Sequence, residues 1–408
     1  MGKYAKLFLR LSLTFALVCA GFYVLEKYDY ITQFSQIDNV LGLLPVIFVI
    51  LAVGGLIVLL WIKHRERLPV TITLAIFVLL CAALFPTALR GNWWLNAHAP
   101  DGTESAPDLT LYAPFKEDTL AAKLDEKSTL VLAENLPVLD GATALYPLYA
   151  AFAQAVYDQD AFSDDKVICT NTRAAYQGII EGKRDIIFVA QPAQSQLDTA
   201  KEAGADLVFT PIGKEAFVFL AGKSNPIESL TLQQIQNIYT GKTSYWHTLT
   251  KDIPPLDSGN IWEDFPHIYP PIIKLQRPEG SGSQTGLQDL MGDLPIQVPQ
   301  PLPDPIFAST SSLLQQVSVT WRGVQPVLGY SYRYFAVSMF RNPDTKLLKI
   351  EGIEPSPENI GSGAYPLTGD FFAVTNGEPQ GNAKLLIDWI LTQQGQELVL
   401  KTGYSHVE

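Results

Sequence analysis

Eight consecutive residues, Arg277-Pro278-Glu279-Gly280-Ser281-Gly282-Ser283-Gln284, carry the densest chemistry of this 408-residue chain. An oxyanion needs many donors converging on one small volume. Gly280 and Gly282 let backbone N–H groups approach closely, and Ser281 and Ser283 add hydroxyls. A helix beginning here would add unpaired N–H groups and a positive dipole end. Arg277 supplies a full charge on a fork of donors that suits a tetrahedral oxyanion, and Glu279 is placed to orient it. Other chemistries fit less well. Gly280, Gly282 and Gly286 are spaced one residue too widely for a dinucleotide fingerprint, and no Lys follows in a Walker arrangement. The spacing is not Gly-x-Ser-x-Gly either, so a hydrolase elbow is unsupported. His98, His247, His267 and His406 fall in no catalytic spacing, and no Cys/His cluster suggests a metal. The pattern predicts binding, with neither catalysis nor a cofactor. The plain alternative is a flexible Gly/Ser loop that only caps a helix.

The elements that must hold this loop alternate between strand and helix. Residues 272–275 read as the strand before it and 284–291 as the helix after it. Upstream, 130–132, 167–169, 186–190 and 217–221 read as strands, and 147–157, 174–181 and 232–239 as helices. The first of these helices has Pro in its opening turn, and the last stops at Gly241. Residues 385–391 and 395–400 close the chain with helical patterning. This alternation predicts α/β units with ligand loops at strand ends.

The chain around these units is asymmetric. Eight of the 29 Lys and Arg and four of the 41 Asp and Glu precede residue 91, which leaves 21 against 37 after it. A part that acidic excludes nucleic acid and anionic lipid as natural partners, although one Arg and a helix N-terminus still act on an anion at short range. The first ninety residues hold three apolar runs, 7–25, 41–62 and 68–89, each near the ~20 residues that cross a bilayer. Lys3, Lys6 and Arg10 open the first run, and Lys63, Arg65 and Arg67 fill the second loop. The positive-inside rule then predicts a multi-pass cell-membrane protein with a cytoplasmic N-terminus and everything after Arg90 outside. Trp93 and Trp94 fall where an interfacial belt is expected. Cys19 invites a lipid-anchor reading, but Val18 stands where a small residue is needed and two more apolar runs follow. Cys169 is alone in the outer part, so no disulfide is expected there. Residues 91–127 read as a polar tether with one short helix near 120–124.

Arg277-x-x-Gly280-Ser281-Gly282-Ser283 before a helix resembles the hallmark of periplasmic phosphate-binding proteins, the receptors of phosphate ABC importers. Matching stretches run in order through the outer part. They include Asp140-Gly141-Ala142-Thr143-Ala144-Leu145-Tyr146-Pro147, Pro211-Ile212-Gly213-Lys214-Glu215-Ala216, Gln236-Asn237-Ile238-Tyr239-Thr240-Gly241-Lys242, Leu328-Gly329-Tyr330, Tyr365-Pro366-Leu367 and Gly403-Tyr404. The resemblance implies a two-lobed α/β clamp of the type II periplasmic-binding kind, preceded here by an all-α anchor of three helices. It places the anchor at 1–90, the linker at 91–127 and the clamp at 128–408. The first lobe would be about 128–212 with 331–408, and the second about 213–330. The implied ligand residues are Thr143, Ala144, Thr172, Arg277, Ser281, Gly282 and Ser283.

Two departures bear on the ligand. Many phosphate receptors carry a carboxylate after the second loop, which accepts the ligand's proton. Ala190-Gln191-Pro192 stands there in this chain. Arg173, beside Thr172, replaces a usually small residue and reads as a solvated helix-start side chain. Weak discrimination of phosphate from sulfate, or preference for another oxyanion, is therefore expected. The implied function is capture of inorganic phosphate or a related oxyanion for ABC permease subunits. The alternative is a membrane-tethered sensor or adaptor built on the same clamp.

Overall fold

The computed structural model describes residues 107–223, 225–249, 272–297, 313–314, 317 and 327–407. All of them belong to one unit, formed by 100–255, 270–297 and 305–408, and none to the other, formed by 1–99, 256–269 and 298–304. The three apolar runs, the tryptophan pair and the first part of the tether lie outside the described residues. No helix among the described residues is long and apolar enough to cross a membrane.

A mixed sheet organises the fold. Its strands are β1 (Leu139–Gly141), β2 (Ile186–Val189), β3 (Leu207–Gly222), β5 (Ile273–Lys274), β6 (Val327–Tyr332) and β9 (Thr368–Asn376). Their spatial order is β1-β2-β9-β3-β6-β5, and β7 (Thr345–Leu347) joins the edge of β3. A separate ribbon pairs β4 (Ser229–Leu230) with β8 (Lys349–Ile350). β3 is shared by both halves of the sheet. Through Ala216 it pairs with β9, and from Phe217 to Ala221 it pairs with β6. Its second half is an uninterrupted buried run, as expected of a strand covered on both faces. Its register with β9 shifts between Pro211 and Gly213, because Pro211 has no N–H to give the ladder.

The helices form where the local signals ask for them. α1 (Tyr146–Val156) has Pro147 in its first turn, and most of its residues are buried. Tyr149 stacks on Phe188 of β2 at 5.1 Å. Burying Leu148 or Phe152 in this way stabilises by about 1.5–3 kcal/mol each. α2 (Thr172–Ile180) is capped by the Asn171 side chain, which accepts from Ala174 N–H. α3 (Gln194–Glu202) and α4 (Leu232–Tyr239) follow. α4 has a reciprocal capping box of Thr231 and Gln234 and stops at Gly241, with φ +79°. The remaining helices are α5 (Gly282–Met291), α6 (Pro357–Gly361), α7 (Gly381–Ile390) and α8 (Gln393–Thr402).

Several expectations change. Residues 107–127 are not a loose tether. Leu109, Tyr112, Phe115, Ala122 and Leu124 pack against the core beside α1, and Ala121 is buried within it. Phe115 meets Phe162 at 4.9 Å, and Lys401 binds Asp125 at 2.7 Å and the Lys123 carbonyl at 3.1 Å. The helix expected near 120–124 is absent; a 3-10 turn at Leu109–Tyr112 stands in this strap instead. The strands expected at 130–132 and 167–169 shrink to single bridges, Leu132 with Tyr157 and Leu139 with Val167.

Candidate anion-binding site

One wall of the site grows from the end of β1. Asp140 is fully buried, and its carboxylate holds two loops together. Oδ1 accepts the N–H groups of Gly141 and Thr170, both at 2.8 Å. Oδ2 accepts Thr170 Oγ1 at 2.6 Å and Arg184 Nε at 2.9 Å. This network fixes the turn through Thr143 and Ala144, and the approach to Thr172 at the start of α2. The Tyr404 hydroxyl donates to the Ala144 carbonyl from the far end of the chain. Cys169 Sγ lies 3.9 Å from Thr143 Oγ1, and burial pushes its thiol upward.

The facing wall is built by β5 and α5. The backbone N–H of Arg277 donates to Gln284 Oε1 at 2.8 Å and to the Tyr330 hydroxyl at 2.9 Å. Burial pushes the Arg277 guanidinium down to about 10, which leaves it charged at neutral pH. Gly280 turns the chain at φ +76°, a left-handed conformation that costs other residues more. Ser281 then caps α5, yet its hydroxyl makes no cap bond. Ser281 Oγ and Ser283 Oγ are both buried without a hydrogen-bond partner, and so is Ser331 Oγ on β6. Buried polar atoms are nearly always paired, so three orphan hydroxyls around one space are donors open to an acceptor there.

The walls meet. A Cβ placed on Gly282 would stand 3.2 Å from Thr172 Oγ1, and one on Gly286 would stand 2.9 Å from the Phe217 ring. Beside them, Gln196 Nε2 donates to the Gly280 carbonyl at 3.1 Å and Ser195 Oγ to Glu279 Oε1 at 3.3 Å. The half-open cavity measures about 700 Å³. Thr143, Ala144, Thr172, Arg277, Ser281, Gly282 and Ser283 all line it, so residues up to 140 positions apart converge.

Other lining groups were not singled out from the sequence. Ser331 adjoins the Leu328-Gly329-Tyr330 match, which is the signal that could have found it. Glu215 lies in another quoted match and is 7% exposed on β3. Burial pushes its carboxyl up to about 7, against the N–H groups of Ala216 at 2.8 Å and Tyr334 at 3.2 Å. Asp289 and Asp370 also line the cavity, and partial desolvation pushes the otherwise exposed Asp289 carboxyl upward. Gln191 is present as the sequence has it, yet the cavity is not free of acid. Glu279, expected to orient Arg277, accepts from Ser195 and from Gln288 Nε2 at 2.6 Å. Arg173 is exposed, as expected for a helix-start residue, and still reaches the cavity rim.

Strand order, shared strand and cavity together define an α/β fold of the periplasmic-binding-protein kind. The family model of the PBP superfamily domain matches residues 135–394. The chain belongs to that superfamily. The phosphate-binding protein PstS of Bacillus subtilis strain 168 is 22% identical over 298 residues, covering 72% of this chain and 86% of that protein. Protein SphX of Synechococcus elongatus is 19% identical over 269 residues, covering 64% and 74% respectively. Among solved structures, an ABC-type phosphate transport receptor from Vibrio cholerae aligns with 66% of this chain and 100% of its own, at 16% identity and a TM-score of 0.46.

Proposed function

We propose that this chain is a receptor that captures phosphate or a related oxyanion for an ABC importer, held at the membrane by three N-terminal spans, with the clamp outside the cell membrane. The observation that carries it is the set of buried, unpartnered hydroxyls of Ser281, Ser283 and Ser331 around the cavity that Arg277 lines. The phosphate-binding relative, matched over most of its length, supports phosphate as the first ligand to test. In this reading the halves of the sheet on either side of β3 are the two lobes, and the chain is not an enzyme.

Titration of the full-length chain in detergent with inorganic phosphate tests the reading. Saturable binding that Arg277→Ala weakens at least ~30-fold is expected for loss of one partner of a desolvated charged pair. Heat release indistinguishable from dilution for phosphate, sulfate and phosphate esters alike would end it. Reporter fusions test the anchor separately: those after Ile62 read cytoplasmic and those after Trp94 external.

One observation favours the sensor alternative. The strap that leads out of the N-terminal region reaches the cavity, since Pro107 lines it. Burial first, and then the neighbouring Tyr112 phenol of the strap, push the Tyr334 hydroxyl upward. Tyr334 in turn donates its N–H to Glu215. A contact path therefore runs from the strap to β3.

A further inference from the structure

The cavity is larger and more acidic than a bare inorganic anion needs. Its halves already touch at Gly282 and Thr172 and are bridged by Ser195–Glu279 and Gln196–Gly280. Even so the half-open cavity between them spans about 700 Å³. A water takes up about 30 Å³, so an oxyanion of five heavy atoms fills a minor part of it. Among the described lining residues, two arginines, Arg173 and Arg277, face four acids, Glu215, Glu279, Asp289 and Asp370. That balance opposes a lone dianion and favours a ligand that brings its own positive charge.

The charges are sorted in space. The orphan hydroxyls of Ser281 and Ser283 and the Arg277 side chain cluster at the N-terminus of α5, where a helix favours negative charge. One turn further, Gly286 rests on the Phe217 ring. Glu215 precedes Phe217 by two residues on β3 and so shares its face. The Tyr332 phenol ties the ends together. It donates to the Gly282 carbonyl at 3.3 Å, and the nearby acids Asp289 and Glu215 push it upward after burial has done so. Both acids line the same cavity as the α5 N-terminus, together with the apolar side chains of Phe217 and Leu290.

We infer that the cavity is shaped for a phosphate monoester whose short organic arm ends in a protonated amine, with the phosphate toward Arg277, Ser281 and Ser283 and the amine toward Glu215 and Asp289. This rests on the oxyanion-receptor reading above and narrows its ligand class. The probes are 2-aminoethyl phosphate, ethyl phosphate and inorganic phosphate, titrated into the full-length chain at pH 7.5. The amine ester is expected to bind at least about tenfold more tightly than ethyl phosphate. Glu215→Gln brings the ratio of the two ester affinities close to one, and Asp289→Asn, an exposed position that leaves the core untouched, lowers the same ratio if the first variant does not fold. Equal or tighter binding of ethyl phosphate or inorganic phosphate overturns the inference and leaves the receptor reading standing. Failure of all three to bind removes both.

Discussion

The two walls of the cavity are finished to different degrees. On the Asp140 side every oxygen of the central carboxylate is engaged, by two N–H groups, a hydroxyl and a guanidinium. On the α5 side three buried hydroxyls are left over. A satisfied network is rigid and costly to disturb, whereas an orphan hydroxyl is itself a cost to the folded chain. In the receptor reading proposed above, the first wall spends its polar groups on structure and the second holds them back for a ligand.

Removing the hub of the satisfied wall should have the largest effect. Asp140→Ala leaves Arg184 and Thr170 without their acceptor and should lower stability by about 3–5 kcal/mol, read from the denaturant midpoint. A loss below 1 kcal/mol would mean the network is dispensable. On the other wall, Arg277→Ala should reduce anion affinity by about 2–5 kcal/mol. A large stability loss with intact affinity would reverse the assignment of the two walls.

Glu215 lies between these extremes, a buried acid paired with N–H groups on both β3 and the segment after β6. Its carboxyl is pushed up from the ordinary 4.5 to about 7 by burial. Between those values the folded chain holds a proton that the unfolded chain has released. Its stabilising contribution is therefore full below pH 4.5 and declines as pH rises through about 7. At about 1.4 kcal/mol per pKa unit, the change is on the order of 3 kcal/mol. Denaturant midpoints at pH 5 and pH 8 measure it, and Glu215→Gln should flatten the difference. The same slope in the variant would assign the effect elsewhere.

The smallest effect is the sharpest comparison. Ser283→Ala removes an unpaired buried hydroxyl, so the ligand-free protein should become more stable by up to about 1 kcal/mol while the anion binds more weakly by about 1.5–3 kcal/mol. Opposite signs in one variant would mark a group reserved for the ligand. Destabilisation without ligand would show that Ser283 already has a structural partner.

Much of the site was legible because its parts are local. The Gly280–Ser283 turn, the Pro147 helix start and the Gly241 stop each state their geometry within a few residues. What escaped depends on distant partners. Ser331 is a lone hydroxyl in a strand, and its meaning appears only when Val218 pairs with it across the sheet. Only 217–221 of β3 read as a strand; Lys214 and Glu215 stand just before that apolar run, although the strand continues through them. The strap at 107–127 has no period to read, since irregular backbone places its apolar side chains one at a time. β9 was passed over as well, and its pairings with β2 and β3 are the ones that close the sheet.

The position of β9 sets a timetable for the nascent chain. Asp206 and Asn376, at the start of β3 and the end of β9, bond to each other across 170 residues. Until the ribosome reaches Thr368–Asn376, β2 and the first half of β3 each keep an open edge at the centre of the sheet. Loop closure over such a span is slow, and an open apolar edge invites pairing with another chain. The early half of this protein is thus made long before it can be finished. Synthesis rate and helper proteins that shield those edges should govern its yield more than the stability of the completed fold does.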